Sequence, residues 1–198
     1  MDSLENPEAR DPFRTLDGHT VILYGGQEAR MIDRVANFLC ENLAVGRPVL
    51  VAATQSHQKA FSAALRSKGV DSAAQSKAGL LVYVDAPVLL EQILVNGRLE
   101  RRAFDRIIGE TVRNLRMRGP LRIYGELVDM LWGRGQGELA IELEGLWNRL
   151  RLRVDFELLC GYGIDIFDSS FSIGSIEGVI HAHGEVVPYG GLPGYAPI

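Results

Sequence analysis

Short apolar runs alternate with longer amphipathic stretches along this chain. Val21 to Tyr24 is unbroken apolar sequence closed by Gly25-Gly26, the signature of a strand buried on both faces. Met31, Val35, Phe38, Leu39 and Leu43 then recur at helical spacing, predicting a helix from about 28 to 45 that stops at Gly46. Pro48 to Ala53 reads as a second strand. Thr54 or Ser56 can cap the helix after it, which carries Phe61, Ala64 and Leu65 inward and ends at Gly69. Leu80 to Val84 is a third strand, followed by helical segments at about 87–96 and 101–118. Leu121 to Tyr124 is a fourth strand, ending in Gly125-Glu126, and Leu127 to Trp132 begins a short helix. Glu138 to Leu150 is amphipathic, with Leu139, Leu143, Leu146, Trp147 and Leu150 in register. Phe156 to Cys160 is a fifth strand, and Ile173, Ile176, Ile180 and His183 suggest a last helix. Residues 1–17 read as a loose arm, and the Pro- and Gly-rich tail from Val186 as irregular. Strands that alternate with helices must run parallel, joined by crossovers. The expected fold class is therefore α/β, a three-layer α/β/α arrangement with a mostly parallel central sheet.

Composition narrows the function. A chain of 198 residues with 46% apolar and 23% charged residues is one ordinary globular domain with a full core. A net charge of −4 argues against a general nucleic-acid binder and against a polybasic membrane anchor. Cys40 and Cys160 sit in apolar segments without C-x-x-C spacing, so they read as buried free thiols in a reducing compartment, not as a redox or zinc motif. No signal peptide is evident and no apolar run approaches the ~18 residues of a membrane span, so a cytoplasmic location is expected.

The glycine turn after the first strand is where a nucleotide-binding α/β protein keeps its phosphate loop. That loop needs close-approach glycines, a Lys and a hydroxyl in G-x-x-x-x-G-K-[ST]. Here Gly25-Gly26 is followed by Gln27-Glu28-Ala29-Arg30, without the Gly-Lys pair or the hydroxyl, and Glu28 repels an anion. In an open parallel sheet, ligands bind outside the carboxyl ends of the strands. The expected ligand lining there is Tyr24, Gly25, Gly26, Thr54, Glu126, Trp132 and Tyr162. Glu126 leads because a carboxylate directly after an apolar strand is costly unless paired. Its rival role is to pair with an Arg or cap a helix. Tyr24 either lines a pocket or is core with its hydroxyl satisfied.

His19, at the amino end of its strand, suggests a structural hydrogen bond. His181 and His183 point about 200° apart on a helix, and no third ligand stands out nearby, so no metal is expected and His183 reads as a satisfied, partly buried histidine. Trp147 reads as core, and Trp132 precedes Gly133-Arg134-Gly135, either a hinge or a plain turn. Arginines at 98, 101, 102 and 106, and at 149, 151 and 153, read as solvated faces or docking surfaces. No nucleophile elbow occurs, and Asp165, Asp168, Ser169 and Ser170 form an ordinary cap sequence.

Five marks occur in order: His19 with Tyr24, Tyr124 to Val128 with Trp132, Leu143 to Asn148, Leu158 to Tyr162, and His183 to Pro188. Together they resemble the MEDS domain, the methanogen/methylotroph sensory domain named after a dichloromethane-responsive regulator, over roughly residues 17 to 188. The resemblance implies a degenerate relative of the RecA/KaiC-like ATPase fold used as a sensory input module in prokaryotic signalling, often fused to histidine kinases or DNA-binding regions. This chain shows neither a kinase core nor a helix-turn-helix, so it reads as a free-standing, non-catalytic sensory domain without a cofactor. It would bind a small ligand, or act on a histidine kinase or transcription regulator. The alternatives are a diverged nucleotide-binding protein and a ligand-free homodimeric scaffold.

Overall fold

Every residue of the strand Val49–Ala53 is buried, which only a central position in a covered sheet allows. The computed structural model describes residues 18–166 and 173–188. The expected arm at 1–17, the end of the tail, and Asp168, Ser169 and Ser170 lie outside them. In chain order the elements are β1 (His19–Leu23), α1 (Glu28–Leu43), β2 (Val49–Ala53), α2 (Gln55–Ser67), α3 (Ser72–Lys77), β3 (Leu81–Asp85) and α4 (Ala86–Ile93). The hairpin β4 (Leu94–Val95) and β5 (Arg98–Leu99) follows, then α5 (Arg101–Phe104), a π-turn at Asp105–Gly109 and α6 (Glu110–Arg116). The remainder is β6 (Arg122–Gly125), α7 (Leu127–Gly133), α8 (Gly137–Arg151), β7 (Glu157–Tyr162), a 3-10 turn at Ile173–Ile176, α9 (Glu177–Ala182) and β8 (Glu185–Pro188).

Six strands form one sheet in the order β3-β2-β6-β7-β1-β8, with every neighbouring pair parallel. Alternation along the strands sends side chains to two cores. Ile22, Val49, Val51, Tyr124 and Leu159 meet Met31, Val35 and Leu39 of α1 and Phe61 and Leu65 of α2. Val21, Leu50, Ala52, Ile123, Leu158 and Cys160 meet α4 through α9, whose largest contributions are Phe104 and Trp147, ring edge to ring face at 5.2 Å. The three-layer α/β/α architecture is thus observed. At the amino ends of the strands, buried Asn42 donates to the Pro48 and Pro120 carbonyls, tying α1 to the entries of β2 and β6.

Four details differ from the sequence pattern. Val186 lies in a sixth strand, β8, registered against Thr20–Leu23, where an irregular tail was expected. The helix expected to reach 96 stops at Ile93, because Asn96 (φ 51°) and Gly97 (φ 74°) form a left-handed turn that folds β4 onto β5. Asp71 caps an unexpected short helix, α3, by accepting from the Ala73 and Ala74 N–H groups. The last helix ends at Ala182, and His183 is extended (φ −120°, ψ 150°). Among the described residues, no helix is long and apolar enough to cross a membrane.

Candidate functional site

The chain leaves β2 for α2 on one face and leaves the neighbouring β6 for α7 on the other. Such divergence opens a crevice at the carboxyl ends. Glu126, 3% exposed, stands at this fork just after β6. The Thr54 N–H donates to its Oε1 at 2.5 Å, His57 Nδ1 lies 2.5 Å from Oε2, and the Tyr124 hydroxyl donates to Oε2 at 3.4 Å. Thr54 caps α2, its Oγ1 accepting from the His57 N–H, and this cap aims the imidazole back across the crevice. His57 Nε2 lies 3.0 Å from Glu28 Oε1 in the first turn of α1. An imidazole with a carboxylate oxygen at each nitrogen donates from both. The hydrogen bond to Glu126 raises its pKa, outweighing burial, and Glu28 adds to the rise.

A second carboxylate bridges the parallel fork between β1 and β7. Asp129 of α7 accepts from the Gly163 N–H at 2.7 Å and from the Tyr24 hydroxyl at 3.0 Å. Burial raises the Asp129 pKa and, with Asp129 beside it, holds the Tyr24 phenol protonated. Gly25 (φ 46°) is there because a Cβ would meet the Asp165 Cβ at 2.9 Å. Where a phosphate loop presents bare N–H groups, this turn meets two carboxylates, Glu28 and Asp165.

Of the expected lining, Tyr24, Gly25, Thr54 and Glu126 converge on this rim. Gly26 follows them in the turn, with open space where a Cβ would stand. Trp132 and Tyr162 pack edge to face at 5.9 Å in the layer of α7 and α8, and Tyr162 points into the core, donating to Glu144 Oε1 at 2.9 Å. The sequence reading missed His57 and Asp129. Their signal was position: each lies three residues past a rim residue already chosen, Thr54 and Glu126.

The profile of a family described as MEDS, MEthanogen/methylotroph, DcmR Sensory domain, matches residues 18–183. The chain belongs to the MEDS family. No curated protein matches it.

This MEDS domain holds a second polar cluster deep beneath the sheet. His19 opens β1, Cys160 lies in β7, Glu144 in α8, and His183 follows α9; all four are buried. His19 Nδ1 lies 2.8 Å from Asn148 Oδ1, the structural hydrogen bond expected of it. His183 differs from expectation. Its Nδ1 lies 2.7 Å from the Val179 carbonyl, but its buried Nε2 makes no well-aligned hydrogen bond among the described residues, lying 3.3 Å from Glu144 Oε1. Burial lowers the His19 pKa against the pull of Glu144, leaving a neutral ring, and raises the Cys160 thiol well above its usual value. Glu144 was read past because it interrupts no stripe. It occupies an inward position of α8 between Ala140 and Trp147.

Proposed function

We propose that this MEDS domain is a non-catalytic sensory module of the cytoplasm that takes a small ligand at the carboxyl-end crevice between β2 and β6. The observation that supports this reading best is Glu126: a nearly inaccessible carboxylate at the end of β6, held from across the crevice by the Thr54 N–H and the His57 imidazole at the start of α2. The acidic rim favours a ligand with a cationic or hydrogen-bond-donating group and disfavours phosphate. A donor reaching Glu126 competes with His57, and His57 is also bonded to Glu28 of α1. Ligand arrival would thereby loosen α2 from α1, a change that a histidine kinase, a transcription regulator or a second copy of the chain can read.

Native mass spectrometry of the freshly purified protein, against its denatured mass, tests this. A bound mass that leaves on denaturation and is absent in Glu126→Gln is expected. No bound mass, or one that survives Glu126→Gln, overturns the assignment. The diverged-nucleotidase alternative would return on ATP hydrolysis lost in the same variant.

A further inference from the structure

The buried cluster stands independently of the rim. Residues two apart on neighbouring parallel strands share a face, so His19 and Cys160, registered through His19↔Leu158 and Val21↔Cys160, both look toward α8. Glu144 meets them from that helix, and His183 closes the remaining side. His19 Nε2 lies 3.4 Å from both Cys160 Sγ and Glu144 Oε2; Cys160 Sγ is 3.5 Å from Glu144 Oε2; His183 Nε2 is 3.3 Å from Glu144 Oε1. All four donor atoms lie within 4.8 Å of one another.

The hydrogen bonds around the cluster decide what those atoms are. Asn148 Nδ2 donates to the Ala182 carbonyl at 2.9 Å, which turns the Asn148 oxygen toward His19. His19 Nδ1–H therefore donates outward, and its Nε2 carries a lone pair directed inward. His183 Nδ1–H donates to the Val179 carbonyl, so the lone pair of the neutral ring's Nε2 also points inward, 3.3 Å from Glu144 Oε1 and without a well-aligned hydrogen bond among the described residues. Two lone pairs and a carboxylate thus converge in a fully buried site, where the single Cys160 S–H proton satisfies one acceptor at a time and a cation among them would satisfy all. Outward Nδ1–H bonds to oxygen acceptors are also how metal-bound histidines are oriented. The Tyr162 hydroxyl fixes the Glu144 carboxylate in the same way.

We propose that His19, Glu144, Cys160 and His183 form a closed site for a borderline divalent transition-metal ion, best matched by Zn²⁺. Two imidazoles, a thiolate and a carboxylate suit such an ion and not Mg²⁺ or Ca²⁺, which take oxygen. Tetrahedral zinc with bonds of about 2.0–2.3 Å sets its ligands roughly 3.3–3.7 Å apart, the spacing of the near contacts here. On binding, the Cys160 thiol gives up its proton to solvent. With four protein ligands and no open position, the site is structural: it fastens α9, and β8 behind it, to β1, β7 and α8.

The test is cobalt titration of the full chain after chelation. Expected are saturation near one equivalent, the intense visible bands of tetrahedral Co²⁺, a thiolate-to-cobalt charge-transfer band, and displacement by Zn²⁺. The chain has 2 cysteines. A band that survives Cys40→Ser and is lost in Cys160→Ala therefore assigns the thiolate, and the Cys40→Ser result suffices if Cys160→Ala does not fold. Asn148→Ala, which removes only the support of His19, should weaken binding by about 10- to 100-fold. No charge-transfer band at saturation, binding only at large excess, or loss of the band in Cys40→Ser overturns the proposal.

Discussion

A single imidazole joins three elements at the rim. His57 sits on α2, bonds Glu126 at the tip of β6, and reaches Glu28 on α1. A histidine whose pKa is raised on folding stabilises the fold fully below its unfolded pKa and loses that contribution as pH rises through its folded value. The melting temperature of the wild type, relative to His57→Gln, should therefore fall as pH goes from about 6 to about 9. Equal pH profiles for the two proteins would show that the imidazole does not carry the charge assigned to it. Glu126 was legible in the sequence because a carboxylate ending an apolar strand stands out. His57 was not, since a polar residue in the first turn of a helix looks like any solvated one. Glu144 and His183 needed the third dimension: their partners lie on β1 and β7, far away in the chain.

Packing explains what the pattern reading found and missed among the elements. The strands β1, β2, β3, β6 and β7 were legible as apolar runs, because parallel strands covered on both faces have no reason to alternate. β8 was not. Its four residues exist as a strand only through pairing with β1, and the Pro and Gly around them argue locally for a loop. The early end of α4 was written in Asn96-Gly97, a hairpin signal inside what otherwise reads as continuous helix. Gly161 in β7 is a different case. A Cβ there would stand 2.5 Å from the Tyr124 hydroxyl oxygen and 3.2 Å from the ring carbon bearing it. Gly161→Ala should cost about 1–3 kcal/mol in chemical denaturation. Adding Tyr124→Phe should recover part of it, a non-additivity expected only if the two residues collide. Simple additivity would exclude the clash.

Over the whole molecule, the sheet ranks its strands by cover. β6, β7 and β2 each have two strand neighbours and helices on both faces, whereas β3 and β8 are paired along one edge. Hydrogen exchange should be slowest in β2, β6 and β7 and faster in β3 and β8. Protection of β8 equal to that of β7 would mean that the last strand opens only with the whole fold.

A parallel sheet also sorts its connections, so that the turns entering strands gather at one pole and those leaving strands at the other. Met117, 80% exposed, lies at the entering pole, just before β6, while Glu126 ends that same strand at the leaving pole. A tether fixed at Met117 thus turns the acidic crevice outward to the bulk solution. One fixed at Gln55 would press the crevice against the support. For a ligand taken at the crevice as proposed, the same molecule would then report binding in one orientation and silence in the other.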